Sequence, residues 1–130
     1  MHLKTVFSRL RTPSDFPDDW YAWATNQSGH IYLIGFPLGA LTAAIDIPLW
    51  AAFPAIFGVY YLVWEVGVQR NPDKWDRVTD TFFVAIGGTT AMAIWQHAAI
   101  TPVLITCQLV VLYLGVSNRL SATEAEGTEQ

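Results

Sequence analysis

The run PLWAAFPAIFGVYYLVWEVGVQR, residues 48–70, holds the pattern from which the architecture of this chain follows. From Pro48 to Trp64 it carries no charged residue, and Glu65 is the first. A helix needs roughly 20 such residues to span the hydrocarbon core of a bilayer. An ionised carboxylate inside such a helix is costly unless it faces water, a partner or a functional cavity. The run therefore predicts a membrane helix in which Glu65 has polar neighbours.

The composition indicates a membrane protein along the whole chain. Of its 130 residues, 52% are apolar, 14% are aromatic and 14% are charged, whereas about a quarter of the residues in a soluble domain are charged. The seven Lys and Arg residues fall into three groups with long gaps between them: Lys4, Arg9, Arg11, Arg70, Lys74, Arg77 and Arg119. The net charge of −4 favours no nucleic-acid partner. The expected partner is the lipid bilayer.

Four apolar stretches have the length of membrane helices when their flanking residues are included. They predict helices over about residues 26–45, 48–69, 78–97 and 99–117. If all four cross, both termini and the loop between the second and third helices share one side, and every Lys and Arg lies there. The positive-inside tendency favours that arrangement. We therefore expect an all-α fold of four transmembrane helices in two hairpins, in a bacterial-type inner membrane with both termini cytoplasmic.

The two ends of the chain are expected to lie outside this helical domain. Residues 1–25 are predicted to be a cytoplasmic segment without a cleavable signal peptide. Within it, PDDWYAW, residues 17–23, is typical of a helix start, and its aromatic residues predict a short amphipathic helix in the plane of the interface. Residues 118–130, NRLSATEAEGTEQ, lack apolar content and predict a disordered acidic tail.

Polar residues of three predicted helices lie at a similar depth on the cytoplasmic side. The candidate ligand-binding residues are His30, Glu65, Gln69 and Asp80. At α-helical spacing, Gly58 and Glu65 share a stripe of helix two, and Asp80 and Gly87 share a stripe of helix three. Gly58, Gly87 and Gly88 would let the helix backbones approach closely. We expect the carboxylates and the glycines to face the same interior.

Three interpretations of these polar residues remain open. In the first, Glu65 and Asp80 form a structural network with His30, Arg70 or Arg77. In the second, the carboxylates and the imidazole line a pocket that handles a proton, a cation or a lipid head group. In the third, they hold a divalent metal ion, although no HExxH-like spacing supports a metal site.

Other sequence signals favour a protein without enzymatic activity or cofactor. There is no GxSxG motif, no phosphate-binding loop and no nucleotide-binding glycine pattern. Cys107 is the one cysteine, so an internal disulfide or a CxxC pair is impossible. Gln108 lies in the middle of the fourth helix, where a bond to a neighbouring helix is expected.

The pattern H…EVGVQR…RVTDTFFVAIGG resembles the VanZ-like family of small membrane proteins. The family has a polar opening with His on its first helix, a Glu-x-x-x-Gln spacing, an Arg, and an Asp followed seven residues later by Gly. The matching positions are His30, Glu65, Gln69, Arg70 or Arg77, Asp80 and Gly87. The family usually carries Asn where this chain has Val84, and an acidic residue where it has Asn26. The resemblance implies a membrane protein of four to five helices without an agreed chemistry.

The opening DWYAWATNQSGH, residues 19–30, is similar to that of small membrane proteins of tailed phages and prophages, which include the holins. The leading hypothesis is a phage- or bacterial-type inner-membrane protein that acts by assembly in the bilayer, including holin-like permeabilisation, as a homo-oligomer or with partner helices. The alternative is a VanZ-like protein that binds a small polar ligand, a lipid head group or a cation at His30, Glu65 and Asp80. A second alternative is a structural subunit of a larger membrane complex.

Overall fold

The computed structural model of the chain describes Thr5, Ser8 and residues 16–127. Within residues 16–127 there are four helices and no strand, which confirms the predicted all-α class. Helix α1 (residues 20–44) joins Trp20–Gly29, the π-helical segment His30–Gly35 and Phe36–Ala44. Helix α2 (Leu49–Gln69) joins Leu49–Val59 and the π-helical segment Tyr60–Gln69; helix α3 is Lys74–Trp95 and helix α4 is Thr101–Gly127.

Three of the described helices are long and apolar enough to cross a membrane, namely α2, α3 and the Thr101–Thr123 part of α4. This finding indicates a membrane protein. Helix α1 is not among them, because its first half carries the polar stretch NQSGH, residues 26–30. Four crossings in two hairpins therefore stay a prediction.

Helix α3 is the centre of the fold. Of the residues in its apolar window, 72% are buried, against 22% in α2 and 6% in α4. Helices α1, α2 and α4 all pack on it. Its buried face is built mostly from small residues, which let the surrounding backbones approach closely. These are Thr81, Ala85, Gly87, Gly88, Thr89, Thr90, Ala91 and Ala93.

The closest approach joins α1 and α3 through glycines on both helices. A Cβ atom on Gly35 would lie 2.6 Å from the carbonyl oxygen of Val84, and one on Gly87 would lie 2.5 Å from that of Ile31. A Cβ on Gly39 would overlap the backbone of Gly88. The GFPLG run at residues 35–39 thus places two glycines one turn apart against α3, as in small-xxx-small membrane packing.

Gly58, which the sequence places with Gly87 and Gly88 at a helix contact, has another environment. A Cβ on Gly58 would meet no described atom within 4 Å. The reason lies in the register of α2, whose buried stripe runs through Ala52, Ile56, Tyr60 and Glu65. The last step spans five residues instead of four because the helix becomes π-helical at Tyr60, and a π-helix bonds i to i+5.

The amphipathic helix predicted at residues 17–23 is not a separate element. Asp19 caps α1, since its side-chain oxygen accepts a hydrogen bond of 2.9 Å from the Ala22 N–H. The chain then stays helical through Gly29, whose φ of −59° is ordinary for a helix. Trp23 is buried against Phe83 in edge-to-face contact, so its ring belongs to the packed core.

Helix α4 continues to Gly127, whereas the sequence predicts disorder from residue 118. Arg119 connects this extension to residues at and just before the start of α1. Its Nε donates a hydrogen bond of 2.9 Å to the Phe16 carbonyl, and its guanidinium lies 4.2 Å from the ring centroid of Trp23. Residues 128–130, and residues 1–15 apart from Thr5 and Ser8, lie outside the described residues.

In its middle, α4 is attached to α3 by the side chain of Gln108. Its Nε2 donates hydrogen bonds to the Thr90 hydroxyl and, at 3.4 Å, to the Ile86 carbonyl. Gln108 is buried although most of α4 is exposed. The amide therefore bonds a neighbouring helix, as its mid-helix position predicts.

Candidate functional site

Five polar side chains from three helices meet near one end of the bundle. The polar cluster is defined here as Gln27, His30, Tyr60, Glu65 and Asp80. It lies at the end of the bundle where α2 finishes and α3 begins, since Glu65 is one turn from the last residue of α2 and Asp80 is in the second turn of α3. The structure thus brings together three of the four candidate residues that the sequence identifies.

Asp80 is the best-connected member of the cluster. The Gln27 Nε2 donates a hydrogen bond of 2.8 Å to Asp80 Oδ1. The His30 Nε2 lies 3.5 Å from Asp80 Oδ2. His30 Nδ1 lies 3.1 Å from the carbonyl oxygen of Asn26, which can accept a proton but not donate one. With Nδ1 donating there, Nε2 and the Asp80 carboxyl face each other as a pair between which a proton can move.

Glu65 differs from Asp80 in having no such partner. Its exposed fraction is 0%, and neither carboxyl oxygen has a hydrogen-bond partner among the residues that the structure describes. The Tyr60 hydroxyl is close enough to interact with the Glu65 carboxyl group, but it does not complete a hydrogen bond to either oxygen. A buried polar atom without a partner costs about 1–3 kcal/mol, and a charged one costs more. Glu65 is therefore the feature that packing alone leaves unexplained.

Further acceptors in the cluster share this property. Within residues 16–127, the Gln27 side-chain oxygen and the Tyr60 hydroxyl are also buried without a hydrogen-bond partner. The amide nitrogen of Gln27 donates a hydrogen bond to Asp80, and the side-chain oxygen of Gln27 accepts none from the described residues. The cluster therefore presents several oxygen atoms that can accept hydrogen bonds and receive none from the described side chains or backbone.

The charges around the cluster favour a positive occupant. Asp76 and Asp80 both repel the Glu65 carboxylate, and Arg77 attracts it. Arg77 also lies over the Tyr61 ring, with 5.7 Å from its guanidinium carbon to the ring centroid. With Glu65 included, three carboxyl groups face one guanidinium and one imidazole, so the immediate surroundings hold more acids than permanent cations.

The remaining sequence candidates lie at the edge of this arrangement. Gln69 is half-buried one turn beyond Glu65, and its side-chain oxygen is buried with no hydrogen-bond partner in the described part of the chain. Arg70 is exposed and ends α2 in the left-handed conformation, at φ 54°. Asn71 is buried and donates a hydrogen bond of 2.5 Å to Asp76, which fixes the loop before α3.

Sequence reasoning missed Gln27 and Tyr60. Gln27 lies on a buried stripe of α1 with Trp23 and Ile31, each four residues apart, and this i, i+4 spacing was visible in the sequence. Tyr60 lies five residues before Glu65, and α-helical spacing places those two positions on different faces. Because the segment from Tyr60 is π-helical and bonds i to i+5, Tyr60 and Glu65 lie on the same face of α2.

The side chains of the cluster are not arranged as a metal centre. Among the described residues, no group of three or more His, Cys, Asp or Glu side chains could hold a metal ion. The arrangement can instead bind a small donor-rich ligand or hold a proton between His30 and Asp80. Comparisons with models of protein families, with curated proteins and with solved structures give no match to this chain.

Proposed function

We propose that this chain is a four-crossing membrane protein of the bacterial-type inner membrane that binds a small polar ligand or cation in its polar cluster. Both termini, and the cluster with them, lie on the cytoplasmic side. The observation that carries the proposal is the carboxyl group of Glu65, which is wholly buried and has no hydrogen-bond partner in the described chain. In a purely structural network this carboxyl group would have a hydrogen-bond partner within the protein, whereas in a binding site its partner is the ligand.

The parallel course of α1 and α3 supports the fourth crossing. Gln27 contacts Asp80, Ile31 packs on Gly87, and the Thr42 hydroxyl lies 3.8 Å from the sulfur of Met92. Helix α1 therefore accompanies α3 from the polar cluster to the far end of the bundle. Because α3 is long and apolar enough to cross a membrane, this parallel packing supports a crossing by α1 as well.

The charge distribution supports the orientation. With four crossings, every Lys and Arg of the chain falls on the side of the polar cluster. The positive-inside tendency makes that side cytoplasmic. Reporter proteins fused after Asp46 and after Gln130 test the arrangement, since four crossings place them on opposite sides of the membrane. Reporters found on the same side would refute it.

The binding function predicts that small molecules reach Glu65. In a Cys107→Ser background, Glu65→Cys is compared with Ala52→Cys, because both positions are 0% exposed and share the buried stripe of α2. In membrane vesicles, methyl methanethiosulfonate should modify the thiol of the Glu65→Cys variant and leave that of the Ala52→Cys variant untouched. Equal protection of both thiols would mean a closed structural site and would contradict the proposal.

A second function, assembly in the bilayer with holin-like permeabilisation, is favoured by the surface of α4. Only 6% of its apolar window is buried inside the described chain. Its outward side chains include Val103, Leu109, Val110, Tyr113 and Leu114. Such a face can contact lipid, further copies of this chain or the helices of a larger complex, and the last case is the structural-subunit alternative.

Cys107 provides the test of self-assembly, because it lies exposed on α4. Mild oxidation of membranes should produce a Cys107-linked dimer if copies associate through this face. The matched control carries Cys107→Ser with Leu62→Cys, which places the thiol on an exposed position of α2. Induction in a bacterial host should then also collapse the membrane potential. A healthy culture at high expression would exclude permeabilisation, and equal crosslinking of both thiols would exclude a specific α4 interface.

A further inference from the structure

We propose that the polar cluster binds a primary ammonium group, either of a small amine or of an aminophospholipid head group. The inference rests on the proposed function, because it names the chemistry of the ligand that the same cluster takes. It follows from three properties of the cluster, which are its unpartnered acceptors, its excess of acids and its depth in the bundle.

The unpartnered oxygen atoms of the cluster indicate which hydrogen-bonding groups a ligand can offer them. The two Glu65 oxygens and the Gln27 oxygen receive no hydrogen bond within the described chain, and neither does the Tyr60 hydroxyl. An ionised carboxylate and an amide oxygen can only accept, whereas an –NH₃⁺ group has three donors and no acceptor. A primary ammonium therefore satisfies the acceptors that the protein leaves open. A quaternary ammonium, which has no N–H, would leave them unpaired.

The acids determine the sign of the charge. Glu65 is close enough to Asp76 and Asp80 for all three carboxyl groups to interact, with Arg77 as the nearby guanidinium. Charges interact strongly where water is excluded, because the effective dielectric constant is low. A neutral donor such as a hydroxyl would leave the carboxylates repelling one another. A cationic N–H donor offsets that repulsion and makes charge-assisted hydrogen bonds.

A metal cation fits the described residues less well. Divalent hard cations take six or more oxygen ligands, and no group of three or more His, Cys, Asp or Glu side chains in the described chain could hold a metal ion. The two Glu65 oxygens can instead accept separate hydrogen bonds from one ligand, which does not need the close convergence of ligands that a metal demands. A ligand that carries its own N–H donors therefore fits these residues better than a metal cation.

The depth of the cluster allows either source of the ammonium. Glu65 lies one turn from the end of α2, and the exposed Trp75 marks the same end of the bundle. Tryptophan is enriched at the level of the lipid head groups. An aminophospholipid head group therefore reaches this depth from the bilayer, and a free amine reaches it from the cytoplasm.

The experiment uses the full chain in phosphatidylcholine nanodiscs and measures Tm. The added probes are ethylammonium chloride, tetramethylammonium chloride and sodium chloride at equal ionic strength. A ligand that binds the native state raises Tm with its concentration. We expect ethylammonium to raise Tm until saturation, and tetramethylammonium and sodium to leave it unchanged.

A second arm distinguishes the lipid from the free amine. Phosphatidylethanolamine carries a primary ammonium, whereas the head group of phosphatidylcholine is a quaternary ammonium without N–H donors. Replacing part of the phosphatidylcholine by phosphatidylethanolamine should raise Tm if the head group binds. A rise with lipid but not with ethylammonium assigns the site to the head group, and the reverse assigns it to a free amine; both support the proposal.

Glu65→Gln should abolish the rise in either arm, because the amide keeps the shape of the side chain but removes its charge. Asp46→Asn makes the same chemical change at the exposed turn between α1 and α2 and should preserve the rise. An equal rise in Tm with ethylammonium and with tetramethylammonium, or no Glu65-dependent effect in either arm, would overturn the proposal. A Glu65-dependent rise with sodium alone would also overturn it, while leaving the proposed binding function intact.

Discussion

The two halves of the contact between α1 and α3 are built on opposite principles. In the half distant from the polar cluster, Gly35, Gly39, Gly87 and Gly88 bring the two backbones into direct contact. In the other half, Gln27 and His30 of α1 meet Asp80 of α3. The adjoining Tyr60 and Glu65 of α2 carry most of the cluster's buried polar atoms that have no partner in the described chain. The first half is packed so tightly that a single methyl group would not fit. The second contains buried polar atoms whose loss of hydration is not compensated by hydrogen bonds within the described chain, and this difference is the basis for proposing that the second half binds a ligand.

The largest effect on stability is expected from a substitution in the glycine half of the contact between α1 and α3. Gly87→Ala forces a Cβ atom against the backbone of Ile31, so α1 and α3 have to separate. Overpacking in a tight contact typically costs about 1–3 kcal/mol and sometimes more, and we expect a loss at the upper end of this range. Thermal unfolding in detergent micelles measures it. Gly58→Ala is the matched control, since the position is open and Ala favours a helix by roughly 0.5–1 kcal/mol over Gly.

Substituting Asp80 and Glu65 one at a time compares a carboxyl group that has hydrogen-bond partners with one that has none in the described chain. Asp80→Leu should destabilise the protein by about 1–3 kcal/mol, because it leaves the amide of Gln27 without its acceptor. Glu65→Met should raise the stability of the ligand-free protein, by up to about 1–3 kcal/mol, because it removes two buried acceptors without a partner in the described chain. Denaturant unfolding of both variants measures the two signs. A loss of stability in Glu65→Met would show that Glu65 holds the structure together.

Arg119 provides a smaller test at the polar end. Arg119→Gln removes a cation–π contact with Trp23, which is worth about 0.5–1 kcal/mol when exposed and more when desolvated. We expect faster proteolysis of the end of α4 together with a loss of about 1 kcal/mol. Limited proteolysis followed by mass determination locates the cleavage. Cleavage elsewhere in the bundle would indicate that Arg119 has a wider role.

Gln108 of α4 provides the smallest effect, because it bonds α3 next to the glycine half of the contact between α1 and α3. Gln108→Leu removes the hydrogen bond to Thr90, whose hydroxyl still bonds the Ile86 carbonyl. Hydrogen bonds between membrane helices average about 0.6 kcal/mol, so a loss of this size is expected in the same unfolding assay. Thr106→Val, at an exposed hydroxyl of α4, is the control. A loss similar to that of Asp80→Leu would mean that Gln108 is as important to the fold as the polar cluster.

Much of the candidate site could be predicted from the sequence, because depth in a membrane helix follows from position along it. His30, Glu65 and Asp80 are polar residues near the same end of three apolar runs, and the structure places them in one cluster. Gln27 and Tyr60 were missed because the side of the helix on which a residue lies depends on the rotation of that helix about its axis as well as on the depth of the residue. The π-helical segment of α2 changes that rotation, and nothing in the stretch YYLVWEVGVQ indicates where i to i+5 bonding begins.

The ends of the helices show the same division. Asp19 is a good helix cap by residue type alone, so a helix start near residue 19 is where the sequence predicts it, although the sequence assigns that start to a separate short helix and begins the first long helix at about residue 26. The burial of Trp23 and the helical course of residues 118–127 depend on a contact between chain positions about a hundred residues apart. Local composition carries no information about such a contact.

By itself, the sequence determined the helical class, the apolar lengths typical of membrane helices, and the concentration of charge near one end of them. These properties follow from composition and local spacing, because each backbone must satisfy its own hydrogen bonds in lipid. The tertiary structure alone decided that α3 is central, that four glycines bring α1 and α3 together, and that Glu65 is left without a partner in the described chain. Those outcomes depend on which faces of distant segments meet, and a change of one residue per turn in α2 is enough to alter them.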